Sequence, residues 1–316
     1  MEYLILIISL LAIAFGADRF VDGSVAIARR LKISDFVIGA VVVGFGTSFP
    51  ELLVSLKGAI SGNADVAIGN VVGSNIFNVL GILGVTAMLF PIATSRENIR
   101  RDAPFCFGVS VLLVLLAFDF FTKGETLISG IDGVVLLAIF AFFLWITLRK
   151  ESQDLPVDTQ VQPSNGKPLW YSVTVAIMGL SVLILGCHFF VEKAVVIARN
   201  LGVSDAYISI TLIACGTSLP ELAASVAAAL KKNTQMALGN VIGSNIFNIT
   251  LILGTSSLIR PLRSPDIVLT DYLVMTGAAL LLMIFATTKV RISRFEGLLM
   301  VLAFVAYNIW LISMQG

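Results

Sequence analysis

Two glutamates stand in the middle of apolar runs long enough to cross a bilayer, each preceded by the same short set of residues. Glu51 closes Gly44-Phe45-Gly46-Thr47-Ser48-Phe49-Pro50-Glu51, and Glu221 closes Ala214-Cys215-Gly216-Thr217-Ser218-Leu219-Pro220-Glu221. A charge at the centre of a membrane costs roughly 2.5–3.5 kcal/mol on insertion scales, so a carboxylate that recurs there marks a functional site. Proline has no N–H and its ring opposes the carbonyl four residues back, so Pro50 frees the carbonyl of Gly46 and Pro220 that of Gly216. In hydrocarbon a freed carbonyl needs a partner, and a bound cation is one such partner. Thr47 and Ser48 precede Glu51 by one helical turn and share its face beside the break; Thr217 and Ser218 stand in the same relation to Glu221.

A second motif also occurs twice, as Gly69-Asn70-Val71-Val72-Gly73-Ser74-Asn75-Ile76-Phe77-Asn78 and Gly239-Asn240-Val241-Ile242-Gly243-Ser244-Asn245-Ile246-Phe247-Asn248. Asn70, Ser74 and Asn78 fall on one helical face as a polar stripe. Gly69 and Gly73 form a small-xxx-small pattern expected to let this helix approach another closely. Asn70 and Asn240 suit either a hydrogen bond across a helix interface or an ion ligand, whereas Ser74, Asn78, Ser244 and Asn248 read as ligands. The whole set is hard oxygen. Calcium takes six to eight such oxygens at ~2.3–2.6 Å, and softer metals favour thiolate and imidazole. Cys106, Cys187 and Cys215 have no ligand spacing and read as packing residues. His188, the single histidine, aligns with Asp18 and reads as a packing or interfacial residue. No resident cofactor is expected.

The elements that must hold these motifs are transmembrane helices. Of 316 residues 57% are hydrophobic and 13% charged, with the apolar residues in long runs, which indicates an all-α polytopic membrane protein. Ten candidate spans lie near residues 3–27, 35–60, 66–90, 104–121, 127–148, 169–195, 205–230, 236–258, 268–287 and 294–313. Met1 to Ala17 has the apolar character of a signal peptide but carries Glu2 and no positive start, and the repeat places a second copy mid-chain. The halves align at an offset of 170 through three spans: Phe20-Val21-Asp22 returns as Phe190-Val191-Glu192, and Asn70 through Asn78 as Asn240 through Asn248. The last span of each half, Ile131-Asp132-Gly133 and Phe295-Glu296-Gly297, aligns at an offset of 164. The expected organisation is a five-helix repeat over 1–149, a cytoplasmic linker over 150–168 and a second five-helix repeat over 169–316. An odd number of spans per half makes the repeats inverted in topology, as in many secondary transporters.

Positive residues test the orientation, because they accumulate in cytoplasmic loops. Fourteen fall on the side reached after the first span, from Arg29, Arg30 and Lys32 to Lys289, Arg291 and Arg294; six fall on the other, among them Lys57, Arg260 and Arg263. Both termini are therefore expected on the non-cytoplasmic side of the membrane. A net charge of +1 offers no basic surface for nucleic acid. An intramembrane hydrolase would need a nucleophile with a base or a metal centre, and the chain has neither H-E-x-x-H nor G-x-S-x-G. The expected partners are the lipid bilayer and cations, with no enzymatic activity.

The paired G-T-S-x-P-E and G-N-x-x-G-S-N-x-x-N segments resemble the two alpha repeats of the cation/calcium exchanger superfamily, most closely the prokaryotic sodium/calcium exchangers, over essentially the whole chain. The resemblance implies ten helices and antiport of calcium against sodium by alternating access, with the ions at the midplane between the repeats. Glu51 and Glu221 would bind calcium and sodium alternately, and the Thr47 and Thr217 carbonyls would complete the calcium shell. Ser48, Ser74, Ser218 and Ser244, with the Gly44 and Ala214 carbonyls, would line sodium positions. The first and sixth helices would slide past the rest. Asn248 departs from members that carry aspartate there, which leaves two carboxylates. A calcium/proton or potassium-dependent exchanger of the same fold is the alternative expectation.

Overall fold

The computed structural model describes residues 1–96, 98–118, 126–150, 168–201, 214–264 and 267–315. Most of the expected linker, and the start of the span expected at 205–230, lie outside the described residues. The described backbone is dominated by helices. α1 (Glu2–Leu31) ends where Lys32 turns left-handed and its N–H reaches Ala28 O. α2 (Asp35–Thr47) starts under a Ser34 cap, whose hydroxyl accepts from Val37 N at 3.2 Å. It bends by 47° into α3 (Phe49–Ser61) at Ser48, next to Pro50. The break expected from the proline is therefore present.

Asn63 caps α4 (Ala64–Leu89) by accepting from Val66 N at 3.1 Å. β1 (Ile92–Ala93), α5 (Ala103–Ala117), β2 (Thr126–Ile128), α6 (Gly130–Lys150) and α7 (Leu169–Asn200) follow. After a short helical turn at Ala214–Gly216 come α8 (Leu219–Leu230), α9 (Thr234–Ile259), β3 (Leu262–Ser264), α10 (Leu269–Thr287), β4 (Arg291–Ile292) and α11 (Arg294–Gln315). Among the described residues seven helices are long and apolar enough to cross a membrane, or eight if α2 and α3 form one span. α4 and α9 each widen into a π-helical stretch, Phe77–Leu83 and Asn248–Leu253, at the end of the polar stripe. Such widenings recur at functional positions because they turn side chains out of the regular helical order.

The chain divides into two compact bodies. The first comprises Met1–Pro50 and Phe142–Asn240. Here α1 and α7 lie along each other with backbones nearly touching: a β-carbon on Gly179 would stand 2.4 Å from Phe20 N, so only glycine permits the approach. Lys231, just past α8, pairs with Asp18 at 2.7 Å and Asp22 at 2.5 Å on α1. α2 packs just as closely on α9, where a β-carbon on Gly239 would meet Phe36 O at 2.2 Å.

The second body comprises Glu51–Ala141 and Val241–Gly316. Two short antiparallel sheets tie its connections together. β1 pairs with β4 (Ile92 opposite Ile292), and β2 with β3 (Ile128 opposite Leu262). Ile92 and Leu262 are repeat equivalents at the 170 offset, as are Ile128 and Ile292 at the 164 offset, so the two pairings are copies of one another. Strands of two or three residues are too short for alternation to announce them, and the sequence reading had none.

The helix of the span expected over 104–121 ends at Ala117, where Phe118 bridges Thr126, and 119–121 lie outside the described residues. Among the described residues a β-carbon on Gly73 would have no heavy atom within 4 Å, and one on Gly69 would meet Ile267 Cδ1 at 3.2 Å. Gly239, the repeat equivalent of Gly69, approaches Phe36 and Ala40 of α2, whose own equivalents at 206 and 210 lie outside the described residues.

Candidate functional site

In the first body the end of α2 meets the start of α8. The Ser48 hydroxyl donates to Glu221 Oε1 at 2.9 Å. Thr47 Oγ1 donates to Val43 O at 2.9 Å and lies 3.2 Å from Asn240 Oδ1. The Gly44 carbonyl accepts from Ser48 N at 3.0 Å. Asn240 donates its side-chain amide to the main-chain carbonyl of Glu221 at 3.2 Å and to Ser225 Oγ at 2.9 Å. Thr47, Glu221, Ser225 and Asn240 are all at most 1% exposed. A carboxylate and four neutral polar side chains are thus sealed from solvent at the helix break.

In the second body the same bracket holds Glu51, which is wholly buried. Asn70 donates to Glu51 O at 3.1 Å and to Ser55 Oγ at 2.9 Å. Further along α4 and α9 the stripes meet through reciprocal amide bonds: Asn78 donates to Asn245 Oδ1 at 3.0 Å, and Asn248 to Asn75 Oδ1 at 3.0 Å. Asn75 also donates to Asn245 O at 3.2 Å. Ser74, Asn78, Ser244 and Asn248 are buried beside them.

These bonds spend amide hydrogens and leave oxygens over. Asn78 Oδ1, Asn248 Oδ1, Ser74 Oγ and Glu221 Oε2 are buried with no hydrogen-bond partner among the described residues. Buried acceptors are nearly always paired, because leaving one unmade costs about 1–3 kcal/mol, and more for a charged group. Surplus oxygens of this kind suit a hard cation, the chemistry the residue types point to. Of the remaining expected ligands, Ser218 is buried, Thr217 is half-buried and Ala214 starts the turn at Ala214–Gly216.

Four participants are absent from the expected ligand set: Ser55, Ser225, Asn75 and Asn245. Each recurs at the 170 offset, Ser55 as Ser225 and Asn75 as Asn245, and that recurrence was the available signal. Asn70 and Asn240, which suit either role, spend their nitrogens on the glutamate main chain and a serine hydroxyl. Cys106 and Cys187 are buried, in keeping with packing.

The profile of the sodium/calcium exchanger proteins matches residues 1–149 and 171–313, which spans both motifs in both halves. The chain belongs to that family. It is 38% identical to the putative antiporter CaxA of Alkalimonas amylolytica, with 97% of each chain covered. It is 34% identical to the sodium/calcium exchanger MaX1 of Methanosarcina acetivorans, again over 97% of each chain. Among solved structures it is similar to the sodium-calcium exchanger NCX_Mj, with a TM-score of 0.83 at 34% identity over 96% of this chain and 97% of that one. Membership in this exchanger family agrees with the resemblance read from the motifs.

Proposed function

We propose that this chain is a secondary active antiporter that exchanges calcium for sodium across a membrane by alternating access. The observation that carries the reading is the buried, duplicated set of oxygen groups with unmade bonds on Glu221, Asn78, Asn248 and Ser74, in a chain of the sodium/calcium exchanger family. Glu51 and Glu221 are the charged ligands. Thr47 and Thr217 give carbonyls to calcium, and Ser48, Ser74, Ser218, Ser244, Asn78, Asn248 and the Gly44 and Ala214 carbonyls complete the positions for calcium and sodium. Two carboxylates balance one calcium or two sodium ions, so the same pair of charges serves either load, and uncompensated charge in a low-dielectric interior is costly.

The architecture proposed with it is ten crossings in two inverted repeats, 1–149 and 169–316, joined by a cytoplasmic linker, in a prokaryotic inner membrane. Counting α2 and α3 as one span, the eight apolar candidates together with α5 and α8 make ten. The sheets support this arithmetic. Ten crossings put the connections that carry β1 and β4 on the lysine- and arginine-rich side, and those that carry β2 and β3 on the other, as pairing within each sheet requires.

The test is calcium uptake into liposomes holding the purified protein. Uptake is expected when sodium is loaded inside and diluted outside, and is expected to vanish when the sodium gradient collapses. Uptake driven equally well by a proton gradient, or only with potassium present, would replace the sodium reading with one of its alternatives.

A further inference from the structure

The bracket around each glutamate is built from residues outside the ligand set, and it is built twice. In both copies an asparagine amide donates to the main-chain carbonyl of the motif glutamate and to a serine hydroxyl one turn further on: Asn240 at 3.2 and 2.9 Å, Asn70 at 3.1 and 2.9 Å. A side-chain amide has two N–H donors, so both are spent in each copy. Around Glu221 the bracket reaches further, because Asn240 Oδ1 also lies 3.2 Å from Thr47 Oγ1. One side chain, itself 0% exposed, therefore connects the threonine of the first repeat's motif to the glutamate of the second's.

We infer that Asn240, supported by Ser225, is a positioning residue for calcium: it fixes the spacing between Thr47 and Glu221. The inference rests on the reading of Glu221 and Thr47 as calcium ligands. Its physical basis is the shape of the network. Asn240 stands on α9, one and two turns before Ser244 and Asn248, and grips the first turn of α8 through Glu221 O. The height and rotation of the Glu221 carboxylate are thereby referred to the start of α9. The Ser48 hydroxyl, on the residue after Thr47, holds Glu221 Oε1 from the other side. A divalent ion that draws on Thr47 and Glu221 together loses affinity when their spacing loosens. A sodium ion held by the serines and by the Gly44 or Ala214 carbonyl loses less. The Asn240–Ser225 bracket thus bears on discrimination between the two loads, as supporting groups bear on metal affinity elsewhere.

The experiment uses the full-length protein, with calcium uptake in liposomes and equilibrium binding of radioactive calcium to the purified protein in detergent. The variants are Asn240→Ala, Asn240→Asp and Ser225→Ala. Aspartate keeps an acceptor for Thr47 but has no N–H for Glu221 O or Ser225, so it is expected to fail as alanine does. For both Asn240 variants the KM and Kd for calcium should rise about tenfold or more, with the maximal rate and the KM for sodium changed by less than about threefold. Ser225→Ala removes one of the two acceptors and should raise the calcium KM by roughly threefold. A tie that only holds the fold together would lower the melting temperature and the yield while leaving calcium affinity per folded molecule as in the parent, and that result overturns the inference. If Asn240→Ala does not fold, Ser225→Ala decides by the same measure. A parent that binds calcium but shows no sodium-driven uptake overturns the antiport reading and leaves the binding comparison to judge the positioning role. A parent that binds no calcium overturns both.

Discussion

Asn248 donates its side-chain amide to Oδ1 of Asn75 at 3.0 Å, and their repeat equivalents make the same bond in reverse, Asn78 to Asn245, at the same distance. The bond decides which way each amide faces. With the nitrogen engaged, Oδ1 of Asn78 and of Asn248 is turned to a place where no donor among the described residues meets it. The orientation needed for a cation ligand is thus enforced by a neighbour that is not itself in the ligand set.

Replacing Asn248 with leucine keeps the volume and removes both roles. The Asn75 acceptor is then buried without its donor, which costs about 1–3 kcal/mol. Asn248→Leu is expected to lower the melting temperature in detergent and to weaken calcium binding together, and Asn75→Leu should do the same through Asn248. Parent-like calcium affinity in Asn75→Leu would show that the amide bond does not orient a ligand.

Glu51→Gln and Glu221→Gln test the charges. At position 221 glutamine keeps an Oε1 to accept from Ser48, and at either position removing a charge from inside a membrane helix does not oppose insertion. Each variant should remain folded and membrane-inserted while sodium-driven calcium uptake falls by about a hundredfold or more, the effect of losing ~2.8 kcal/mol of ion binding. Near-normal uptake in either variant would remove that glutamate from the site.

Most of this arrangement was legible because it is written twice. A buried carboxylate, a proline and a hydroxyl pair recurring at one offset pointed to Glu51 and Glu221, and the stripe in the second motif pointed to Ser74 and Asn78. Ser55 and Ser225 were passed over although they repeat as faithfully, since a lone serine in a helix has an ordinary role in bonding to its own backbone. The reciprocal amide bonds were hidden for a different reason. Asn75 and Asn78 share a segment, but only the meeting of α4 with α9 decides which of them donates and which is left an oxygen. The small-xxx-small pattern records permission for close approach, and Gly239, the equivalent of Gly69, uses it against α2.

The close approach at Gly239 can be measured against Gly73. An alanine at Gly239 would place its β-carbon 2.2 Å from Phe36 O and 3.0 Å from Ala40 N, both main-chain atoms that cannot rotate away. α2 must then move off α9, and overpacking of this kind costs about 1–3 kcal/mol. Gly239→Ala is expected to lower the melting temperature and to reduce transport. Gly73→Ala meets nothing within 4 Å among the described residues and should keep or raise the melting temperature, since alanine favours a helix over glycine by up to ~1 kcal/mol. Equal destabilisation by the two substitutions would mean that the α2–α9 contact is not the reason for glycine at 239.

The topology can be read from the two sheets. Arg291, in β4, and Arg263, in β3, are both exposed, and the crossing count assigns them to opposite faces of the membrane. A background lacking the half-buried Cys215 leaves only two buried thiols, Cys106 and Cys187, so a single introduced cysteine reports its own position. In right-side-out vesicles a membrane-impermeant maleimide should label Arg263→Cys directly and Arg291→Cys only after the membrane is opened. Lysine and arginine bias requires this order, because Arg291 belongs to the side with fourteen positive residues and Arg263 to the side with six. Labelling in the reverse order would invert the protein in the membrane and leave the repeat intact. Labelling of both from one side would break the ten-crossing count itself, since an odd number of spans must then be lost or gained between β3 and β4, where α10 is the one α-helix among the described residues.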